Sequence, residues 1–169
     1  MRELVVYLRG LTLFVAGIVV GRVLISPGLA QETKNAGLRL NHVGIAVKDF
    51  QESLNFYTKV MGFRVAYAMP SPDGKPTTTF LQISRDTFIE MAPATANLPA
   101  GLTHIGVLTD DANATVTQLR QAGATAPDAR SGGATGSRLS NVMDPNGIRL
   151  EVVEQPSGSL MRKAMESWK

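Results

Sequence analysis

The chain has 169 residues, 44% of them hydrophobic, which is enough for one compact domain with a real core and too short for two large ones. It contains no cysteine, so disulfides, thiolate metal sites and lipid-modified cysteines are excluded, and any metal must be held by nitrogen and oxygen. Of the formal charge of +3, most belongs to the first thirty residues: without Arg2, Arg9, Arg22 and Glu3, fourteen basic residues face thirteen acidic ones, leaving +1 and no basic run interleaved with aromatics to favour a nucleic-acid partner.

Residues 1–30 read as a signal peptide. Arg2 and Arg9 precede the apolar run Leu11 to Gly21, and Gly28-Leu29-Ala30 places small residues where an export peptidase cuts. Arg22 keeps the run below the roughly 18 apolar residues of a spanning helix. An exported protein, periplasmic or secreted, is expected, and the alternative is an uncleaved membrane anchor over residues 11–26. The folded domain is expected over 39–155.

Its first element, residues 40–48, alternates as a half-buried strand. Phe50, Leu54, Tyr57, Val60 and Met61 then recur at helical spacing up to a stop at Gly62. Strands follow near 63–69, 78–84 and 87–92, completing a module over 40–92. Pro93 to Gly101 leads into a second module, 102–154, with a strand at 102–109, a helix at 111–122, and strands near 124–127, 138–143 and 148–154. Met143-Asp144-Pro145-Asn146-Gly147 is a hairpin turn. The tail, 156–169, holds a short helix over 159–168, whose apolar face of Leu160, Met161, Ala164, Met165 and Trp168 is expected to dock on its own domain or on a second subunit.

The two modules are copies. Asn41-His42-Val43-Gly44-Ile45-Ala46-Val47 is echoed by Thr103-His104-Ile105-Gly106-Val107-Leu108-Thr109, with the histidines 62 residues apart. Asp49 and Asp111, at the expected helix starts, are also 62 apart, while Gly62 and Gly123, and Glu90 and Glu151, are each 61 apart. Four landmarks in one order at one offset argue for duplication.

Strand alternation then says which residues share a face. Val43, Ile45 and Val47 should cover the helix, which puts His42, Gly44 and Ala46 on the other side. Ile105 and Val107 likewise leave His104 and Gly106 opposite, and Ile89 with Met91, or Leu150 with Val152, turn Glu90 and Glu151 outward. All four polar residues fall on the face away from the helices, where Gly44 and Gly106 are expected to leave open space for a cleft. A strand histidine is ordinarily hydrogen-bonded and a strand glutamate solvated. Here, however, the chain's only two histidines occupy equivalent positions, and so do the two glutamates. His42, Glu90, His104 and Glu151 are therefore the expected metal ligands. Two imidazoles and two carboxylates suit one divalent ion of the borderline group, Zn, Ni, Mn or Fe, with positions left for water or substrate. Arg149, on the strand face of Glu151, is the first candidate for binding an anionic substrate. Arg138, at the end of the Gly-rich stretch from Arg130, is the second; the stretch lacks the Gly-Lys-Ser/Thr ending of a phosphate loop.

On these motifs, with Phe56-Tyr57 before Met61-Gly62-Phe63 and Asp144-Pro145-Asn146-Gly147 before Leu150-Glu151, the chain resembles the vicinal oxygen chelate superfamily over roughly residues 39–155. That superfamily includes glyoxalase I, methylmalonyl-CoA epimerase, extradiol dioxygenases and the fosfomycin and bleomycin resistance proteins. The resemblance implies an α+β fold of two tandem βαβββ modules whose mixed sheet curls around a metal cleft, with ligands on the first and last strand of each module. The His, Glu, His, Glu order is similar to bacterial-type glyoxalase I and implies a lyase or isomerase that moves a proton through an enediolate on a small oxygenated substrate, with Glu151 as base and Glu90 as second choice. The alternative is a non-catalytic binding protein of the bleomycin-resistance type; an epimerase or an extradiol dioxygenase ranks third. The family commonly pairs chains, so a homodimer is expected.

Overall fold

A computed structural model describes residues 37–169; the expected leader and anchor lie outside the described residues. Among the described residues, no helix is long and apolar enough to cross a membrane.

Eight strands form one mixed sheet. They are β1 (Arg39–Val47), β2 (Arg64–Ala68), β3 (Thr79–Ser84), β4 (Thr87–Pro93), β5 (Gly101–Thr109), β6 (Arg130–Ser131), β7 (Arg138–Met143) and β8 (Arg149–Glu154). Their order across the sheet is β2-β3-β4-β1-β5-β8-β7-β6, which is the same arrangement run outward twice from the middle. In each module the first and last strands pair in parallel, β1 with β4 and β5 with β8, and a helix lies on the connection between them. The modules join where β1 and β5 run antiparallel.

The helices start where short polar side chains can cap them. Asp49 accepts from the Glu52 amide ahead of α1 (Phe50–Asn55), and Asp111 accepts from the Ala114 amide ahead of α2 (Ala112–Gln121). α1 runs on through a π-turn over Phe56–Val60, and Gly62, at φ +74°, ends it. The wider turn carries Val60 and Met61 round the axis and away from the stripe begun by Phe50 and Leu54, so both are exposed. No residue of α1 or of the π-turn is fully buried, and Val43, Ile45 and Val47 are only half-buried. The expected apolar face beneath this helix is thus weak, and the better-buried side of β1 is the one carrying His42, Gly44 and Ala46.

The strand expected at 124–127 is also absent. Pro127 has no N–H to give a ladder, and the Ala126 and Pro127 carbonyls are taken by Arg120 Nε and Ser140 Oγ, both at 2.7 Å. The edge strand is instead the two-residue β6. The β7–β8 turn is closed by Asp144, whose Oδ1 accepts from the amides of Asn146 and Ile148.

Two apolar clusters stabilise the sheet. Val116 of α2 packs with Ala126, Val142 and Val152 on one face. On the other, α3 (Leu160–Glu166), capped by Ser159, packs Met161, Ala164 and Met165 against Phe80, Phe88 and Leu108. The tail helix therefore docks on its own domain, with Trp168 left at the surface beneath the Arg64 guanidinium.

Candidate metal centre

The four expected ligands meet at the seam between the modules. Register explains why. Gly44 is flanked by Glu90 on β4 and His104 on β5, and Gly106 is flanked by His42 on β1 and Glu151 on β8. Each row is thus glutamate, glycine, histidine, and the two rows run in opposite senses. A methyl group on Gly44 would overlap the His104 ring, and one on Gly106 would overlap the His42 ring. The glycines do not leave an empty cleft, as their sequence positions imply; each makes room for the imidazole of the other module.

His42 Nε2 lies 2.9 Å from His104 Nε2 and 3.6 Å from both Glu90 Oε2 and Glu151 Oε1, while His104 Nε2 lies 3.4 Å from Glu90 Oε2. One donor atom from each of the four residues falls within 4.8 Å of all the others. Both histidines are buried. The donor set fits a divalent ion: two nitrogens each about 2.0–2.1 Å from a shared Zn²⁺ would lie about 3 Å apart, and two facing carboxylates need a cation between them.

Two residues missed in the sequence reading hold the imidazoles. In the β1–β5 ladder Leu40 pairs with Val107 and His42 with Gly106, so Asn41 is skipped; Gly44 pairs with His104 and Ile45 with Leu102, so Thr103 is skipped. These bulges turn the residue before each histidine back onto its ring. Asn41 Oδ1 is 2.9 Å from His42 Nδ1, and its Nδ2 donates to the Asp86 carbonyl at 3.0 Å, which fixes the amide orientation and places the imidazole proton on Nδ1. Thr103 Oγ1 stands 2.9 Å from His104 Nδ1. The available signal was the repeat itself, which aligns two polar residues, Asn41 and Thr103, immediately ahead of the two histidines.

Arg149 reaches the centre and Arg138 does not. An Arg149 Nη2 donates to His104 Nδ1 at 2.8 Å. Arginine can only donate, so in this contact the His104 proton sits on Nε2, pointing at the His42 Nε2 lone pair. An ion at His104 Nε2 needs that proton on Nδ1, directed at Thr103. Arg149 and a metal therefore compete for His104. Arg138 faces the other side of β7 with Ser140 and Val142, 3.3 Å from Asn113 Oδ1 of α2 and 4.0 Å from Glu154 Oε2, because alternation from Asn141, the register partner of Glu151, turns it away.

Electrostatics separates the two carboxyls. Burial pushes Glu90 upward, but the His104 hydrogen bond and the electrostatic pull of His42, His104 and Arg149 outweigh it and hold this carboxyl below its usual value. Burial lifts Glu151, with the Glu90 charge acting the same way, so Glu151 rises above the usual range. Burial also pushes His42 down to about 4, against the pull of Glu90, which keeps it neutral and able to bind metal. A cavity of about 210 Å³ opens beside His42, Glu90 and Glu151, lined further by Tyr67, Phe80, Leu139 and Met161.

Residues 39–152 match the family described as the Glyoxalase/Bleomycin resistance protein/Dioxygenase superfamily. The chain belongs to this superfamily. Within it, the chain is 28% identical over 128 residues to a lactoylglutathione lyase of Escherichia coli O157:H7, covering 70% of this chain and 93% of that one. It is 29% identical over 93 residues to the human mitochondrial methylmalonyl-CoA epimerase, covering 49% of this chain and 53% of that enzyme. Among solved structures, the superfamily fold recurs in the Streptomyces coelicolor methylmalonyl-CoA epimerase, in complex with 2-nitronate-propionyl-CoA, with a TM-score of 0.60 at 23% identity over 72% of this chain and 96% of that one. The curled eight-stranded sheet is the fold of this glyoxalase superfamily.

Proposed function

We propose that this protein is a metal-dependent lyase or isomerase that moves a proton next to a carbonyl of a small oxygenated substrate. The observation that carries the reading is the convergence of His42, Glu90, His104 and Glu151 within 4.8 Å of one another, beside a cavity. A divalent ion held by these four residues would supply Lewis-acid stabilisation for negative charge on the substrate oxygens. The chain supplies the rest. Glu151, raised by burial and lining the cavity, takes the proton from carbon and returns it to the neighbouring carbon; a raised carboxyl accepts a proton more readily than an ordinary one and holds it for return. Glu90, held ionised, stays a ligand, and Asn41 and Thr103 fix the imidazoles. Buried Phe80, Leu139 and Met161 form an apolar wall beside the carboxyls. The reading includes a paired chain and export, the first from the family resemblance and the second from the leader features of residues 1–30.

The test is metal analysis joined to isotope exchange. Protein purified without added ions is expected to carry one divalent metal per chain, lost in His42→Ala. The loaded protein should exchange the α-proton of small hydroxycarbonyls into D₂O, with exchange falling about 10²–10⁴-fold in Glu151→Gln at equal metal content. Metal-free protein that still binds ligands without exchange would point to the sequestering relative instead.

A further inference from the structure

The concave face of the sheet is not left open along its length. Phe80 stands opposite Glu90 in the β3–β4 ladder and Phe88 two residues before it, so both side chains share the face of the metal centre. That part of the face is covered by α3, whose Met161, Ala164 and Met165 bury against Phe80, Phe88 and Leu108. The helix is tied down at both ends. Ser159 Oγ donates to the buried Gln155 at 3.0 Å and Arg162 Nε to the Gln155 carbonyl at 3.0 Å, while Arg64 of β2 reaches the Ala164 carbonyl at 3.1 Å and Ser167 Oγ at 3.2 Å. Met161, at the leading edge of this plug, lines the same cavity as Glu90 and Glu151.

What remains is about 210 Å³, below the roughly 300–1,000 Å³ of sites for drug-sized ligands. Its chemistry is divided. The donors lie on one wall, while apolar Phe80, Leu139 and Met161 share the rest with polar Thr135, Ser137 and Gln155, and the phenol of Tyr67 stacks on Phe80 at 4.4 Å.

We propose that α3 sets the substrate class: a compact molecule with two oxygens for the metal end and a short alkyl group of about three to four carbons seated between the Tyr67–Phe80 pair and Met161, with longer chains stopped by the helix. This inference rests on the metal-centre reading above, and its test separates the two.

Nickel-loaded protein is titrated calorimetrically with acetohydroxamate, butyrohydroxamate, hexanohydroxamate and octanohydroxamate, probes that chelate through two oxygens and differ only in tail length. Affinity is expected to rise about fourfold per buried methylene up to butyrohydroxamate and to stop rising or fall beyond it. Met161→Ala should extend the rise to the longer tails by about tenfold or more at octanohydroxamate. Should that variant lose its circular-dichroism signature, Leu139→Ala enlarges the same cavity from the sheet side and is expected to shift the cut-off likewise. Affinity that climbs unbroken through octanohydroxamate in the native chain, or a cut-off unmoved in the folded cavity variants, overturns the inference while leaving the metal centre standing. Failure to take up nickel at all overturns both.

Discussion

The imidazole of His42 occupies the space in which a side chain on Gly106 would stand. Gly44 and His104 repeat the relationship from the other module, so each histidine depends on a glycine of the opposite module, 64 residues away for His42 and 60 for His104. Neither glycine has a positive φ, which makes the requirement steric and not conformational. Gly106→Ala is therefore expected to displace the His42 ring, to lower stability by about 1–3 kcal/mol as overpacking does, and to remove stoichiometric metal. Thermal melts and metal analysis of the same preparation check both effects.

Asn41 is fully buried, anchored by the Asp86 carbonyl, and meets the centre through His42. Removing its carbonyl in Asn41→Ala frees the imidazole to take the wrong tautomer, and metal affinity should drop about 10–100-fold. Calorimetric titration with Zn²⁺ would decide this; an unchanged dissociation constant would mean that the strand alone orients the ring.

The competition at His104 gives a change of opposite sign. Arg149→Ala removes both the donor that holds the proton on Nε2 and a positive charge beside the cation, and should tighten Zn²⁺ binding about tenfold or more. In ¹⁵N spectra of histidine-labelled native protein, metal should move the His104 proton from Nε2 to Nδ1. Weaker binding in the variant would show that Arg149 supports the site.

Acid should weaken the fold through His42. Its value near 4 in the folded chain lies below the 6.5 of an unfolded histidine, so the unfolded state binds the proton first. The resulting stability is present above pH 6.5 and is lost as pH falls toward 4, by on the order of 3 kcal/mol in all. Urea unfolding of metal-stripped protein between pH 7 and 4 should show the native sequence losing its advantage over His42→Gln across that window. A constant gap between the two would contradict the assignment.

Much of the centre was legible because duplication leaves a fixed offset and strands alternate with period two, so His42 and His104, then Glu90 and Glu151, could be matched and faced without coordinates. Asn41 and Thr103 were hidden by the same rule: alternation sends the residue before a histidine to the opposite face, and only a bulge brings it back. Arg138 was misjudged by proximity in sequence to a glycine-rich stretch, although counting from Asn141, opposite Glu151, turns it away. The covering of the cleft by α3 follows from long-range packing of Met161 and Met165 on Phe80 and Phe88, which no local pattern encodes.

The two rows of glutamate, glycine and histidine have a genealogical consequence. Each half of the chain contributes one imidazole and one carboxylate, and the dyad between β1 and β5 creates the full set. A gene for one half, made as a self-pairing product, would already own the centre. Fusion through Pro93–Gly101 would then change a site that depends on protein concentration into one that survives dilution, and would free each half to drift toward its own task, as Arg149 and the tail helix have done.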